Sequence, residues 1–319
     1  MFLGIDIGTS GVKAVVLDTH GAVVGQGVAA LTVQRPHPLW SEQDPEDWWK
    51  ATSAAVLAID PEVRRSVRGI GLAGQMHGAT LLGADDTPLR PAILWNDGRS
   101  FAECAALEAT TGDFRTVGGN IVMPGFTAPK LEWVRRHEPD IFAQVATVLL
   151  PKDYVRLRMT GEKASDMSDS AGTLWLDVAG RRWSETLLAA CGLTEAQMPR
   201  LVEGTDVAGT LRADIADAWG MAQVLVAGGA GDNAGGAAGV GVVVEPDKGA
   251  ADLRVVVGGA FAREIGEEDL GTIGGTRRFG TLEQFGSTTR AGEPRDPVDA
   301  RGRAEVDRHL VPHIGQAVA

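Results

Sequence analysis

The first thirty residues constrain the chain most. Three apolar runs, FLGIDI (2–7), VKAVVLD (12–18) and AVVGQGVAA (22–30), are separated by Gly8–Gly11 and by His20-Gly21. Short β-rich runs with turn residues at this spacing predict an antiparallel three-stranded meander. Asp44-Pro45-Glu46-Asp47 follows, supplying an N-cap, an N1 proline and first-turn acids, which predicts a helix through about Ile59. VRGIGLAGQ (67–75) reads as a buried strand, followed by a hairpin across Asp85-Asp86 and a further strand AILW (92–95). Beyond these, helices are expected near 99–110, 130–137, 152–159, 184–191 and 211–219, and strands near 146–150 and 223–228. Strands first, with helices folded between them, predict an α/β fold. No repeat of about 20–50 residues is visible.

Composition narrows the function. Glycine is 42 of 319 residues, well above the usual share of about 7%, without a G-X-Y period. With 44% hydrophobic residues, collagen and wholesale disorder are excluded. The glycines instead mark backbone that needs positive φ or close approach. Net charge is −12, which disfavours a nucleic-acid partner and means that any phosphate must be caught by a local device. Cys104 and Cys191 are too few for a disulfide scaffold and match no metal spacing. The start MFLGIDIG has no basic n-region, and apolar runs such as 222–230 fall far short of a membrane span. The expectation is a cytoplasmic protein with no membrane partner.

Three motifs carry chemistry. In Asp6-Ile7-Gly8-Thr9-Ser10-Gly11-Val12-Lys13 an acid ends a strand and a Gly-Thr-Ser-Gly turn feeds the next. Backbone N–H groups of such a turn form an anion nest, with hydroxyls as added donors. An aspartate beside a phosphate makes sense with a divalent cation between them. Walker spacing is absent. The plainer reading is a tight hairpin with an acid at its mouth. In VLVAGGAGDN (224–233) an apolar strand delivers Asp232 within a glycine-rich turn before a small-residue helix. A carboxylate so placed can accept a proton from a substrate hydroxyl, and it can equally be an N-cap. Gln75-Met76-His77-Gly78 and Trp95-Asn96-Asp97-Gly98-Arg99 stand at two strand ends. Imidazole, indole, amide, acid and guanidinium together are the inventory of a sugar pocket, although a lone histidine at a strand end is more often a satisfied core residue.

Taken together these strings resemble the FGGY family of carbohydrate kinases. Gly125-Phe126-Thr127-Ala128-Pro129-Lys130-Leu131-Glu132-Trp133-Val134 matches the family's first signature. PLWSEQDPEDWW (38–49), QMHGAT (75–80), LRPAILWNDGRS (89–100), LLPKDYVRLRMTGE (149–162) and SDMSDSAGTLWLDV (165–178) are similar to its branch acting on D-xylulose. The likeness runs along residues 2–242. It implies an α/β, ribonuclease H-like (actin/Hsp70 ATPase-type) fold in two domains with a cleft between them. It implies ATP-dependent phosphorylation of D-xylulose at O5, giving D-xylulose 5-phosphate, with Mg2+. Asp232 is then the catalytic base. Asp6 organises the metal through water. Gly8, Thr9, Ser10 and Lys13 face the nucleotide phosphates. Met76, His77, Trp95, Asp97, Arg99 and Asn233 are the candidate ketose contacts. The resemblance also implies a homodimer.

After Val242 the likeness ends. Tryptophans lie between residues 40 and 219, and from 251 to 319 there is no lysine against nine arginines and eleven glycines. The Gly-Thr pairs at 271–272 and 275–276 follow Glu267-Glu268-Asp269, which is no buried strand. The expected organisation is therefore an FGGY N-terminal, sugar-binding domain over 1–242. A largely irregular, non-family tail over 243–319 would follow it, reading like a shifted frame of a GC-rich gene. On that expectation the adenosine contacts and half of the phosphate cradle are missing and turnover is weak. The alternative is a non-catalytic sugar-binding fragment.

Overall fold

Alternation along the first strands sets the sheet. Phe2–Ile7 (β1), Gly11–Leu17 (β2) and Val23–Ala30 (β3) pair antiparallel, with Ile7 opposite Val12 and Phe2 opposite Leu17. Leu3, Ile5 and Ile7 of β1 and Val12, Ala14 and Val16 of β2 are buried on one face. Each leucine, isoleucine and valine among them contributes about 1.5–3 kcal/mol by leaving water. The computed structural model describes residues 1–239 and the two strands Val242–Pro246 and Leu253–Val257.

Gly69–Gly74 (β4) lies parallel to β1 on the side away from β2. Val207–Thr210 (β5), Leu225–Ala227 (β6) and Ala230–Gly231 (β7) complete the sheet, in the order β5-β6-β4-β1-β2-β3 with β7 also on β4. Strands β6 and β7 run parallel to β4, and β5 is antiparallel to β6. The helix Pro45–Leu57 (α1) starts as its sequence predicts: Asp44 accepts from the Glu46 N–H at 2.9 Å and Pro45 occupies the first turn. Its Trp48, Ala55 and Val56 join the strand residues in one core, with Tyr154 and Val155 of the helix Pro151–Thr160 (α3). The helix Thr127–His137 (α2) anchors a second core through Ala128, Leu131 and Val134 against Phe114, Trp175 and Leu187.

The expected hairpin across Asp85-Asp86 is present as a turn, with Gly83 N donating to Thr87 O at 2.9 Å. The strand expected over 92–95 shrinks to Ala92–Ile93, which pairs with Glu42–Gln43. Beyond Ile93 the chain turns instead of extending the ladder, with Asp97 N donating to Leu94 O at 3.2 Å. Cys104 and Cys191 are buried free thiols.

α3 also carries charge inward. Lys152 Nζ lies 2.7 Å from Asp153, 2.6 Å from Asp166 and 2.9 Å from Asp169, all buried. Arg156 pairs with Asp153 at 2.9 Å. Two cations thus face three carboxylates away from water. Burial, and then the neighbouring Asp153 and Asp166, push Asp169 well above the usual carboxylate range, against the pull of Lys152.

The chain divides into two compact units, Met1–Asp232 and Asn233–Ala319. The cut falls just inside the helix Asp232–Gly239 (α4). The second unit carries the rest of α4 and an antiparallel ladder in which Val242 faces Val257 and Pro246 faces Leu253. This ladder stands in the stretch read from sequence as largely irregular. The remaining expectations for 243–319, including both Gly-Thr pairs, lie outside the described residues.

Candidate functional site

Register brings the site together. Ile7 of β1 and Gly231 of β7 both pair with Gly74 of β4, and these three strands are parallel. The turn after Asp6, the segment Gln75–His77 and the residue Asp232 therefore leave the sheet at one edge. Ends of parallel strands, where consecutive loops diverge, are where such sheets hold ligands.

Asp6 is half-buried. Burial raises its pKa, the Asp232 carboxylate raises it further, and Lys13, its cross-strand partner on β2, opposes both. Asp6 and Asp232 thus stand at the same end of the sheet. The turn between β1 and β2 is closed by Gly8 N donating to Gly11 O at 3.0 Å, and Ser10 and Lys13 are exposed. Thr9 is committed: its hydroxyl donates to Gln75 Oε1 at 3.0 Å and accepts from Trp95 Nε1 at 3.0 Å. Gln75 in turn donates to Gln43 Oε1 at 3.0 Å, and Gln43 donates to the Thr9 carbonyl at 2.8 Å. This ring of amides and hydroxyl ties the phosphate-type turn to the aromatic Trp95, which is half-exposed.

Met76 sits directly against Gly231, where a Cβ would lie 2.9 Å from its Cγ. His77 has a left-handed backbone (φ 65°), rare for a residue with a side chain. Its Nδ1 is 2.9 Å from Gly172 O, and a Cβ on Gly172 would fall 2.4 Å from the ring. Met76 therefore adjoins the strand end that bears Asp232, and His77 follows it in the chain. Burial first, then Lys130, lowers the His77 pKa to about 4, so the ring is neutral near pH 7.

Asp97 and Arg99 face inward. The Asp97 carboxylate accepts from Ser41 N at 2.6 Å and from Arg99 Nε at 2.9 Å. Arg99 also reaches Glu42 at 2.7 Å and lies 3.7 Å above the Trp40 ring. The pair braces the loop that presents Trp95. Asn233, exposed, follows Asp232 in the first turn of α4 and belongs to the second unit. Sequence reasoning gave no role to Gln43 or Gly172, and met Gln75 only within the sugar-pocket string and Thr127 and Lys130 only within the family signature. Lys130 left a signal, a lysine beside Ala128, Leu131 and Val134 on a buried helix; Gly172 left none.

The chain is similar to xylulose kinases. Residues 1–239 match the model for "FGGY family of carbohydrate kinases, N-terminal domain". The xylulose kinase of Escherichia coli is 61% identical over 244 residues, covering 76% of this chain and 50% of that protein. That of Klebsiella pneumoniae is 58% identical over 262 residues, covering 82% and 54%. A crystal structure described as a xyloylose kinase from Brucella ovis aligns with a TM-score of 0.75 at 59% identity, covering 76% of this chain and 51% of that one. The chain spans about half the length of these relatives. The mixed sheet is accordingly that of the actin/Hsp70-like sugar kinases, and the chain belongs to the FGGY family of carbohydrate kinases, whose N-terminal domain it carries.

Proposed function

We propose that this chain supplies the ketose-binding and proton-accepting part of ATP-dependent D-xylulose phosphorylation, in which O5 of the sugar takes the γ-phosphoryl group. The observation that carries the reading is the placement of Asp232 at the strand end that Met76 also borders, His77 following Met76 in the chain, with the Asp232 charge acting on Asp6. Asp232 accepts the hydroxyl proton. A loose phosphoryl-transfer transition state needs little base strength, so a carboxylate suffices. Met76, His77 and Trp95 border the ketose, Asp97 and Arg99 hold the Trp95 loop, and Asn233 is the next candidate along the chain. Gly8, Thr9, Ser10 and Lys13 meet the phosphate tail of ATP.

The donors fit a hard divalent cation such as Mg2+. Asp6 is raised by burial and by a second carboxylate, and a cation beside the pair relieves that repulsion. Asp6 would hold the ion through water. When bound, the ion neutralises charge on the transferred group. Among the described residues no helix is long and apolar enough to cross a membrane. A cytoplasmic homodimer that binds no nucleic acid is part of the same proposal.

ADP release coupled to D-xylulose and Mg·ATP, run beside calorimetric D-xylulose binding, tests the reading. Ketose-dependent release that disappears in Asp232→Asn supports the kinase. Ketose binding without release leaves a sugar-binding module, and absence of both rejects the reading.

A further inference from the structure

His77 is held from four sides, and one of the groups that hold it is a cation. Its carbonyl oxygen accepts from Lys130 Nζ at 2.9 Å and from Thr127 Oγ1 at 3.2 Å, both from the first turn of α2. Its ring meets Phe126 edge-on at 4.8 Å and Gly172 O through Nδ1. Lys130 is fully buried and has no carboxylate within salt-bridge distance among the described residues. Its second acceptor is Gly125 O at 2.6 Å. A buried ammonium spent on two carbonyls is costly unless the geometry it fixes is needed. What it fixes here is a left-handed residue, a conformation that side chains disfavour.

The polarity of the His77 ring follows. Gly172 O can only accept, so Nδ1 carries the proton and donates. The buried Lys130 charge disfavours a second proton on the ring. Nε2 is then a lone pair, with no hydrogen-bond partner among the described residues and not among their sealed-off polar atoms. A lone pair there accepts from a hydroxyl and repels a carbonyl or phosphate oxygen.

We propose that Lys130 is a positioning residue that fixes His77 as the Nδ1–H tautomer, so that Nε2 accepts a hydrogen bond from a ketose hydroxyl. The hydroxyl as ligand rests on the proposed function, while the tautomer and the part of Lys130 do not. Burial brings the Lys130 pKa down to about 7, with the Asp97 charge opposing and Arg99 assisting. A neutral amine keeps two N–H donors, so the clamp survives that titration.

The test is two-bond 1H–15N NMR of the histidine rings in the whole chain, with His77 assigned by its loss in His77→Gln. At pH 6 the wild-type ring is expected as neutral Nδ1–H. In Lys130→Met the ring's titration midpoint is expected to rise and the tautomers to mix. Thr127→Val removes the other donor without touching the charge. It is expected to keep the midpoint while weakening D-xylulose binding by a smaller factor than the roughly tenfold expected for Lys130→Met. An Nε2–H tautomer or a protonated ring in the wild type overturns the proposal, as does an unmoved midpoint in a folded Lys130→Met. If the NMR results hold and D-xylulose does not bind, the functional reading fails and the Lys130–His77 clamp stands.

Discussion

The Trp95 indole Nε1 donates to Thr9 Oγ1 across 3.0 Å, joining the aromatic at one strand end to the turn that follows Asp6. Trp95→Phe keeps the ring and removes the donor. One neutral hydrogen bond is worth about 1 kcal/mol, so D-xylulose affinity should fall by about fivefold with little change in melting temperature. Thr9→Val removes this bond and also the one to Gln75, and should lose at least as much. The double variant should lose less than the two losses combined, because both remove the same bond. Calorimetric binding curves for the four proteins check this.

Much of this arrangement was legible in the sequence, for physical reasons that differ from element to element. The β1–β2–β3 meander is written in a period-2 pattern with glycines between runs, and α1 is announced by Asp44-Pro45. Asp6 and Asp232 stand out because a charged side chain directly after an apolar strand needs a reason. What the sequence does not display is contact between distant segments. The Thr9–Gln75–Gln43 ring joins residues 9, 43 and 75, and no local rule selects those amides over others. Asp97 and Arg99 carry the right chemistry for sugar contact, and their pairing with Ser41, Glu42 and Trp40 is not written in their own segment. The packing of a separate segment decides that.

Gly172 has no room for a side chain beside His77. In Gly172→Ala the new methyl would meet the ring at 2.4 Å, and overpacking of this kind typically costs about 1–3 kcal/mol. The clash falls on a side chain and not on backbone, so the variant should fold, with far-UV circular dichroism unchanged, and lose about tenfold in D-xylulose affinity. Retained affinity would separate His77 from the ketose.

The buried cluster around Lys152 should make stability depend on pH. Asp169 has a folded pKa above its unfolded one, so its contribution is fully present below about pH 4 and is lost as pH rises through neutrality. Asp169→Asn removes that proton equilibrium. Thermal melts from pH 5 to pH 8 should show the wild type losing more stability than the variant. The difference should be several degrees, at about 2–4 °C for each kcal/mol in a domain of this size. Parallel curves would mean that Lys152 keeps Asp169 ionised throughout.

The central claim is that the edge shared by Asp6, Met76, His77 and Asp232 holds a ketose. Calorimetric titration of D-xylulose into the whole chain and into Asp232→Asn tests it most directly. The account predicts saturable one-to-one binding with a Kd at or below the order of 1 mM, retained within about threefold in Asp232→Asn because the amide oxygen still accepts from the hydroxyl. Absence of binding in the folded wild-type chain would contradict it.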